Sequence, residues 1–173
     1  METLDAIMTR KSCRKYLDRQ VDEADLRRVL DAGLQAATAA GHQPWKLVVV
    51  QDRATRDRLS RMNAAILGKE GIDPFYGAPM VICVLCERDR SCPVEDGSLA
   101  LGNMMLAAHD LGLGSCWIHR CFEEFESEEG RELLAAWGVE GDWRGIGHLI
   151  LGYPDGPLHP DVPRRENTVV YVR

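Results

Sequence analysis

A short basic segment near the start of the chain is the first feature that could do chemistry. Four basic residues and a serine fall within the eight positions from Thr9 to Tyr16, in a protein whose formal net charge is −6. Arginine presents a planar fork of N–H donors that matches phosphate oxygens, and a serine hydroxyl adds a further hydrogen bond. The segment therefore predicts an anion site. The alternative is a solvated basic helix end, because cations also stabilise the C-terminal end of a helix.

A second basic pair, Arg164 and Arg165, lies in the C-terminal tail. Spacing alone does not decide whether this pair converges with the first segment on one anion.

Six cysteines suggest either a disulfide framework or a metal site, and their surroundings favour reduced thiols. Cys83 and Cys86 have C-x-x-C spacing, but they belong to an apolar run, residues 80–86, that predicts a buried strand. Residues three apart on a strand point to opposite faces, so these two thiols are not expected to share a metal ion. We predict no metal site, and keep a thiol-based metal or redox module as a minor alternative.

The motifs of the common nucleotide-binding and hydrolytic sites are absent. Gly112-Leu113-Gly114 and Gly145-Ile146-Gly147 each begin a G-x-G-x-x-G pattern, but Trp117 and Ile150 stand where the third glycine is required. No G-x-x-x-x-G-K-[ST], H-E-x-x-H or G-x-S-x-G occurs. The five histidines, among them His159, form no ligand-spaced pair, and most are expected to be structural or solvated. His119 follows a predicted strand, where sites are commonly built, although a strand-end histidine also serves as a structural residue.

Composition predicts one ordinary domain spanning residues 1–173, with 45% hydrophobic residues and 21 Lys and Arg against 27 Asp and Glu. The acidic balance argues against nucleic-acid binding, which requires a basic face. No apolar run approaches the roughly 18 residues of a membrane span, and the start of the chain does not resemble a signal peptide. We therefore expect a cytoplasmic protein without membrane association.

Hydrophobic periodicity predicts helices and strands in alternation. Helices are expected at 22–40, 54–67, 97–111 and 123–137, and strands at 46–51, 80–86, 115–118 and 146–151. The helix at 97–111 is apolar almost all round, which predicts burial in the subunit core or in a dimer interface. The β-prone residues 168–172 are expected to add a strand to a sheet edge, including one on a partner subunit. The pattern indicates an α+β or α/β sandwich with helices on both sides of a mixed sheet.

Four segments in a fixed order resemble the FMN-dependent nitroreductase-like flavoproteins, and together they cover nearly the whole chain. Arg10 to Tyr16 is similar to the family's R-x-S-x-R-x-[FY] start. Residues 37–50 resemble its P-S-x-x-N-x-Q-P-W stretch, which runs into a strand. Residues 96–118 resemble its central helix and the strand that follows, and Leu151-Gly152-Tyr153-Pro154, with the arginine pair beyond, resembles its C-terminal part.

The resemblance implies an α+β three-layer sandwich, with a central mixed, mainly antiparallel sheet flanked by helices and a domain-swapped C-terminal tail. It further implies a homodimer with FMN at the subunit interface, and NADH or NADPH as the electron donor. A small acceptor such as a nitroaromatic or a quinone would then be reduced by a ping-pong mechanism. A non-catalytic flavin sensor or carrier on the same fold is the alternative function.

Site residues follow from the resemblance by position. Arg10 and Ser12, with Arg164 or Arg165, would hold the FMN phosphate. The segment around Ala37 would pack on the flavin ring from the partner chain, and backbone N–H groups after Trp117 would face flavin N5 and O4. The full expected set is Arg10, Lys11, Ser12, Arg14, Ala37, Thr38, Ala39, Gly41, Trp117, Ile118, His119, Arg120, Arg164 and Arg165, with His119 also a possible proton donor.

Two departures from the family pattern have consequences. Ala37, Thr38 and Gly41 stand where members often have Pro, Ser and Asn, so fewer polar contacts to the flavin or substrate are expected. Only residues 87–96 connect the strand ending at Cys86 to the next helix, where members often insert lid helices. The cleft is then either more open or closed by residues 62–76, whose Phe75 and Tyr76 would stack on a ligand or lie in the core.

Overall fold

Four antiparallel strands in the order β1-β2-β4-β3 form the central sheet of the computed structural model, which describes residues 1–158 and 160–173. The strands are β1 (Trp45–Val50), β2 (Met80–Glu87), β3 (Gly114–Ile118) and β4 (Trp143–Gly152). A single parallel bridge joins Ser12 to Ser115 at the outer edge of β3. The structural or solvated role expected of His159 lies outside the described residues.

Six α-helices and one 3-10 turn surround this sheet in the described part of the chain. They are α1 (Thr3–Thr9), α2 (Glu23–Leu34), the turn Ala39–Gly41, α3 (Arg53–Ile66), α4 (Pro93–Asp110), α5 (Cys121–Glu126) and α6 (Glu128–Ala136).

The sheet is covered on both faces, as the burial of β2 along almost its whole length shows. Its side chains alternate, so Val81 and Leu85 pack with α3, α5 and α6, whereas Ile82 and Val84 pack with α2 and α4. This gives the three-layer α+β sandwich expected from the sequence. The same alternation places the two thiols of the C-x-x-C pattern on opposite faces of β2.

Three helix predictions were wrong at their ends. Helix α4 begins at Pro93 instead of at Gly97, because a proline is well suited to the first turn of a helix. Helix α2 ends at Leu34 instead of near residue 40, because the apolar stripe continues no further into the core: Leu34 is exposed, and Ala40 and Gln43 adopt positive φ. The helix expected at 123–137 is two helices, broken at Ser127. The Ser127 hydroxyl accepts a hydrogen bond from the Gly130 N–H and so caps α6.

The β-prone residues 168–172 form no strand within the subunit, and their side chains are exposed. Neither of the two apolar clusters that pack on the faces of the sheet includes a residue of this segment, that is Val169, Val170, Tyr171 or Val172. Docking of this segment on a partner subunit stays a prediction.

Two glycines of β4, Gly145 and Gly147, are required for close packing. The ladder between β2 and β4 shifts register here, since Val84 pairs with Gly147 and Leu85 with Gly145. A Cβ on Gly145 would lie 2.2 Å from the backbone oxygen of Cys121. A Cβ on Gly147 would lie 2.3 Å from the indole nitrogen of Trp117. The glycines that looked like part of a nucleotide fingerprint therefore let α5 and Trp117 approach the strand.

We predict that Gly145→Ala lowers the free energy of unfolding more than Gly147→Ala does. Overpacking a core costs about 1–3 kcal/mol, and Gly145→Ala belongs at the upper end because its new methyl meets backbone. Gly147→Ala meets a side chain that can move, so it belongs at the lower end. Urea unfolding of both variants checks the order, and equal losses would contradict it.

Candidate functional site

The basic segment lies along the free edge of β3, where main-chain hydrogen bonds fix its position. The Cys13 N–H donates to the Ser115 carbonyl at 2.9 Å, and the Leu17 N–H donates to the Tyr153 carbonyl at 2.9 Å. The buried Tyr16 hydroxyl donates to the Cys13 carbonyl at 2.8 Å. The turn is thus fastened at both ends, and the side chains between them project from a fixed backbone.

This arrangement brings the two basic clusters together around a cavity of about 200 Å³. Arg10, Lys11 and Ser12 line it from the segment after α1, and Arg164 lines it from the tail of the same subunit. The complete lining is Met8, Arg10, Lys11, Ser12, Arg14, Pro160, Asp161, Val162 and Arg164. The sequence left the choice between Arg164 and Arg165 open, and the structure places Arg164 in the cavity and Arg165 outside its lining.

Positive charge in this cavity is largely uncompensated. Lys11 forms an ion pair with Asp161 at 2.9 Å, which ties the tail to the basic segment. Within residues 1–158 and 160–173, Arg10, Arg14 and Arg164 take part in no ion pair. Since the segment directly follows the C-terminus of α1, the helix dipole also favours cations here. That dipole does not explain why a tail arginine joins the cluster, whereas an anion site does.

Thr9 and His109 are neighbours of Arg10 at the end of α1. The Thr9 hydroxyl lies 2.8 Å from His109 Nε2, and this contact holds the end of α1 against α4. Partial burial, followed by the Arg10 guanidinium, lowers the pKa of His109. His109 is therefore neutral at pH 7 and adds no further cation to the cluster.

The other end of β3 carries the second group of predicted residues. Trp117 is 46% exposed, Ile118 is buried, and the exposed His119 ring makes an edge contact with the Trp117 indole at 5.6 Å between centroids. Arg120 has φ 76° and ψ 5°, a left-handed conformation that non-glycine residues rarely adopt. Strain of this kind concentrates at functional sites, which supports a role for this strand end.

A buried polar network that the sequence analysis missed lies directly behind this strand end. The Asn63 side-chain amide, on α3, donates to the His119 carbonyl at 2.9 Å and also to Glu124. Its oxygen accepts a hydrogen bond from Arg120 Nε at 2.9 Å. Glu124 in turn lies 2.9 Å from His148 Nε2, and both of these side chains are fully buried. No sequence spacing links these residues, because they come from α3, α5, β4 and the turn after β3.

Electrostatic interactions inside the network act on the pKa of His148. Burial by itself would lower this pKa, but Cys121 and Glu124 together raise it well above its ordinary value. Burial raises the pKa of the Cys121 thiol. The raised pKa of His148 favours its protonated form beside Glu124.

The segment expected to pack on the flavin ring lies away from the cavity within one subunit. The Ala39 N–H donates to the buried Asp96 carboxylate at 2.9 Å, and the Thr38 hydroxyl accepts from the Gln43 N–H at 3.2 Å. These bonds hold the loop at the start of α4. Ala37, Thr38, Ala39 and Gly41 do not line the cavity of their own subunit, so a role at the site requires a second copy of the chain.

Phe75 and Tyr76, in the segment before β2, have different surroundings. Phe75 is fully buried and packs in the core, whereas Tyr76 is 42% exposed. The Arg14 guanidinium lies over the Tyr76 ring, 5.8 Å from its centroid. Tyr76 is thus the aromatic side chain that this segment presents to the basic cluster. A separate open cavity of about 620 Å³ lies between α3 and residues 70–73.

Comparison with known proteins identifies the family. A family model described as "Nitroreductase family" matches residues 7–153. The chain belongs to the nitroreductase family. This confirms the resemblance inferred from four ordered segments, and it assigns the chain to the nitroreductase-type oxidoreductases.

Several individual relatives match over nearly their whole length. A putative NADH dehydrogenase/NAD(P)H nitroreductase of Archaeoglobus fulgidus is 33% identical over 177 residues, covering 95% of this chain and 98% of the relative. An iodotyrosine deiodinase of Thermotoga neapolitana is 26% identical over 186 residues, covering 96% of each chain. The crystal structure of a nitroreductase with bound FMN from Bacteroides fragilis superposes with a TM-score of 0.91, at 27% identity and with complete coverage of both chains.

The state of the cysteines and the character of the helices bear on the predictions of reduced thiols and of no membrane association. All six cysteines are free, and burial followed by the Asp96 carboxylate raises the pKa of the Cys86 thiol to about 12. Among the described residues, no helix has the length and apolar character that a membrane crossing requires.

Proposed function

We propose that this nitroreductase family member is an FMN-dependent NAD(P)H oxidoreductase. It would reduce a small acceptor such as a nitroaromatic or a quinone by a ping-pong mechanism. The observation that carries the proposal is the convergence of Arg10, Arg14 and Arg164 on one cavity beside Ser12, with no ion-pair partner for any of the three in the part of the chain that the structure describes. The FMN bound by the Bacteroides fragilis nitroreductase, which shares this fold, supports the same ligand here.

The donor set of the cavity fits a phosphate monoester. Guanidinium groups and a hydroxyl supply several N–H and O–H donors, and a phosphate offers three terminal oxygens that accept them. The three positive charges of Arg10, Arg14 and Arg164 more than balance the two negative charges of a phosphate dianion. Arg10, Ser12, Arg14 and Arg164 would hold the phosphate, and Lys11 would stay with Asp161 and secure the tail.

The direction of β3 links the cavity to the expected ring site. Ser12 lies beside Ser115, and a strand rises about 3.3 Å per residue, so His119 is on the order of 13 Å further along. The phosphate, the extended ribityl chain and the ring of FMN could together cover this distance, which would place the ring against Trp117 and the strand end. When bound, FMN supplies the redox chemistry by accepting hydride from the nicotinamide at N5 and passing electrons to the acceptor.

The protein's own contribution at the ring is to position donors. Backbone N–H groups of His119 and Arg120 are proposed to face N5 and O4, where they would stabilise negative charge. The exposed His119 ring rests against Trp117, so we assign the site to main-chain donors and leave the imidazole as a possible proton donor only.

A homodimer is part of the proposal. Helix α4 presents Leu99, Gly102 and Leu106 on one face, at positions i, i+3 and i+7, and Leu99 is 51% exposed. The loop containing Ala37 to Ala39 is fastened to the start of this same helix. A partner docked on this face would therefore bring its own loop toward the site and give the exposed tail a surface to pack on. Six free thiols suit a reducing compartment such as the cytoplasm.

Anaerobic mixing of the FMN-loaded protein with NADH or NADPH tests the function. An enzyme bleaches the flavin absorbance within seconds, and adding a nitroaromatic or a quinone restores it. A flavin sensor or carrier binds FMN but shows no such bleaching. Parallel lines in a double-reciprocal plot at several acceptor concentrations would support alternating occupancy of one cleft, and intersecting lines would contradict it.

We predict that Arg10→Ala weakens FMN binding by about ten- to a hundredfold, because a charged hydrogen bond contributes roughly 1.5–3 kcal/mol. Arg165→Ala is the matched control, since it removes the same side chain from outside the cavity. Flavin fluorescence titrations of both apo-proteins give the two dissociation constants. Equal affinities in the two variants would remove Arg10 from the phosphate site.

We also predict that Gly102→Glu yields a monomer that no longer retains FMN. A Cβ on Gly102 meets no atom within 4 Å in the subunit, so the fold accepts the substitution while the proposed interface does not. Ala136→Glu places the same charge on the exposed face of α6 and should leave the dimer intact. Light scattering coupled to gel filtration, with absorbance at the flavin band, reports both properties. A monomer that keeps its FMN would refute the shared site.

A further inference from the structure

Asn63 is the residue of α3 whose side chain hydrogen-bonds the strand end that is proposed to face the flavin. It is fully buried, with no solvent contact of its own. Its three hydrogen bonds go to the His119 carbonyl, to Glu124 and to Arg120 Nε. A buried side chain that bonds a backbone carbonyl fixes the orientation of the whole peptide group that contains it.

The geometry of that peptide decides where the next N–H points. The His119–Arg120 bond is trans, and in a trans peptide the C=O and N–H vectors point in opposite directions. Because Asn63 holds the His119 carbonyl toward the core, the Arg120 N–H is turned outward, toward the surface of the strand end. Within the described residues no backbone acceptor pairs with this N–H.

The conformation of Arg120 needs such a hold. Its φ of 76° lies in the left-handed region, which is sparsely populated for a side chain other than glycine. Arg120 is the N-cap residue of α5, and its carbonyl accepts a hydrogen bond from the Glu124 N–H at 3.0 Å. Its side chain turns back to Asn63. Three hydrogen bonds, two of them made by Asn63, therefore hold this backbone turn.

The network also fixes which way the Asn63 amide faces. Its nitrogen is a donor and contacts two acceptors, the His119 carbonyl and the Glu124 carboxylate, while its oxygen contacts the Arg120 donor. A flipped amide would set an oxygen against two oxygens and a nitrogen against a guanidinium. Glu124 is itself held by His148, so the buried pair acts through Asn63 on the peptide.

We propose that Asn63 is a positioning residue that aims the Arg120 N–H at the bound flavin and so stabilises its reduced form, with Glu124 and His148 holding Asn63 in place. This inference rests on the proposed function, since it assumes FMN at the strand end. It adds a residue from a distant helix that the family resemblance does not include.

The test compares Asn63→Leu with wild type and with Leu59→Val. Leucine has the same branched arrangement of side-chain heavy atoms as asparagine but cannot hydrogen-bond the carbonyl, so the peptide is no longer held in place. Leu59 is a fully buried residue of the same helix and belongs to the apolar core that also contains Val81 and Leu85, so Leu59→Val controls for loss of stability. For each protein the flavin midpoint potential, the affinity for oxidised FMN and the melting temperature are measured.

In Asn63→Leu the reduced flavin should bind about tenfold more weakly relative to the oxidised flavin, as expected for one lost hydrogen bond to a charged group. For a two-electron couple this corresponds to a potential about 30 mV lower. Affinity for oxidised FMN should change less, because the phosphate contacts are intact. Leu59→Val should keep the wild-type potential whatever its melting temperature.

Amide hydrogen exchange provides a second measurement that does not depend on turnover. In wild type the Arg120 amide should exchange rapidly without FMN and become protected when FMN is added. In Asn63→Leu this protection should be lost. Should Asn63→Leu not fold, Asn63→Ala replaces it, with a smaller shift expected because water can enter the space and bond the carbonyl.

The outcomes distinguish a failure of the proposed function from a failure of the role proposed for Asn63. If wild type binds no FMN, both the proposed function and this inference fail. Suppose instead that wild type binds FMN and that NADH or NADPH bleaches the bound flavin. If Asn63→Leu then keeps the wild-type flavin potential and the protection of the Arg120 amide, the proposed function stands and Asn63 has only a structural role. A shift of the same size in Leu59→Val would likewise overturn the positioning role.

Discussion

The pairing of the basic segment with the edge of β3 is the interaction on which the rest of the site depends. One hydrogen bond, from the Cys13 N–H to the Ser115 carbonyl, joins the turn that carries Arg10 and Ser12 to the strand that ends at His119. The proposed phosphate site and the proposed ring site are thereby two ends of one rigid element. Sites built on a strand hold their geometry better than sites built on loops alone.

The position of this strand at the edge of the sheet is equally important. Its inner edge pairs with β4, and its outer edge is used by the basic segment rather than by a further strand. Gly114 permits this, because a Cβ there would lie 2.6 Å from the Cys13 sulfur. An edge that would otherwise invite non-specific pairing is thus used for binding.

Much of the fold could be predicted because it depends on patterns that are local in sequence. Continuous apolar runs gave β1 and β2, and the helical period gave α3 almost to the residue. The prediction failed where tertiary contacts decide: α2 stops at Leu34 because no core surface continues beyond it, and Ser127 splits one amphipathic run by capping α6. The basic cluster was predictable from charge alone, but its junction with Arg164 was visible only through the family resemblance and the structure. The Asn63 network had no sequence signal, because a lone asparagine on a helix and a lone glutamate on another are usually solvated.

The order of the strands has a consequence for how the site is assembled during folding. Strands β1 and β2 pair with one helix, α3, between them, and β3 and β4 pair with two short helices, α5 and α6, between them, so each half of the sheet can form from residues that are comparatively near in sequence. The ladder between β2 and β4, in which Met80 pairs with Leu151, joins the halves across a long stretch of chain, and closing such a loop is entropically slow. Asn63 belongs to the first half and His119 to the second. The strand end that is proposed to meet the flavin therefore reaches its final shape only after the halves have docked, which makes it one of the last parts of the molecule to become native.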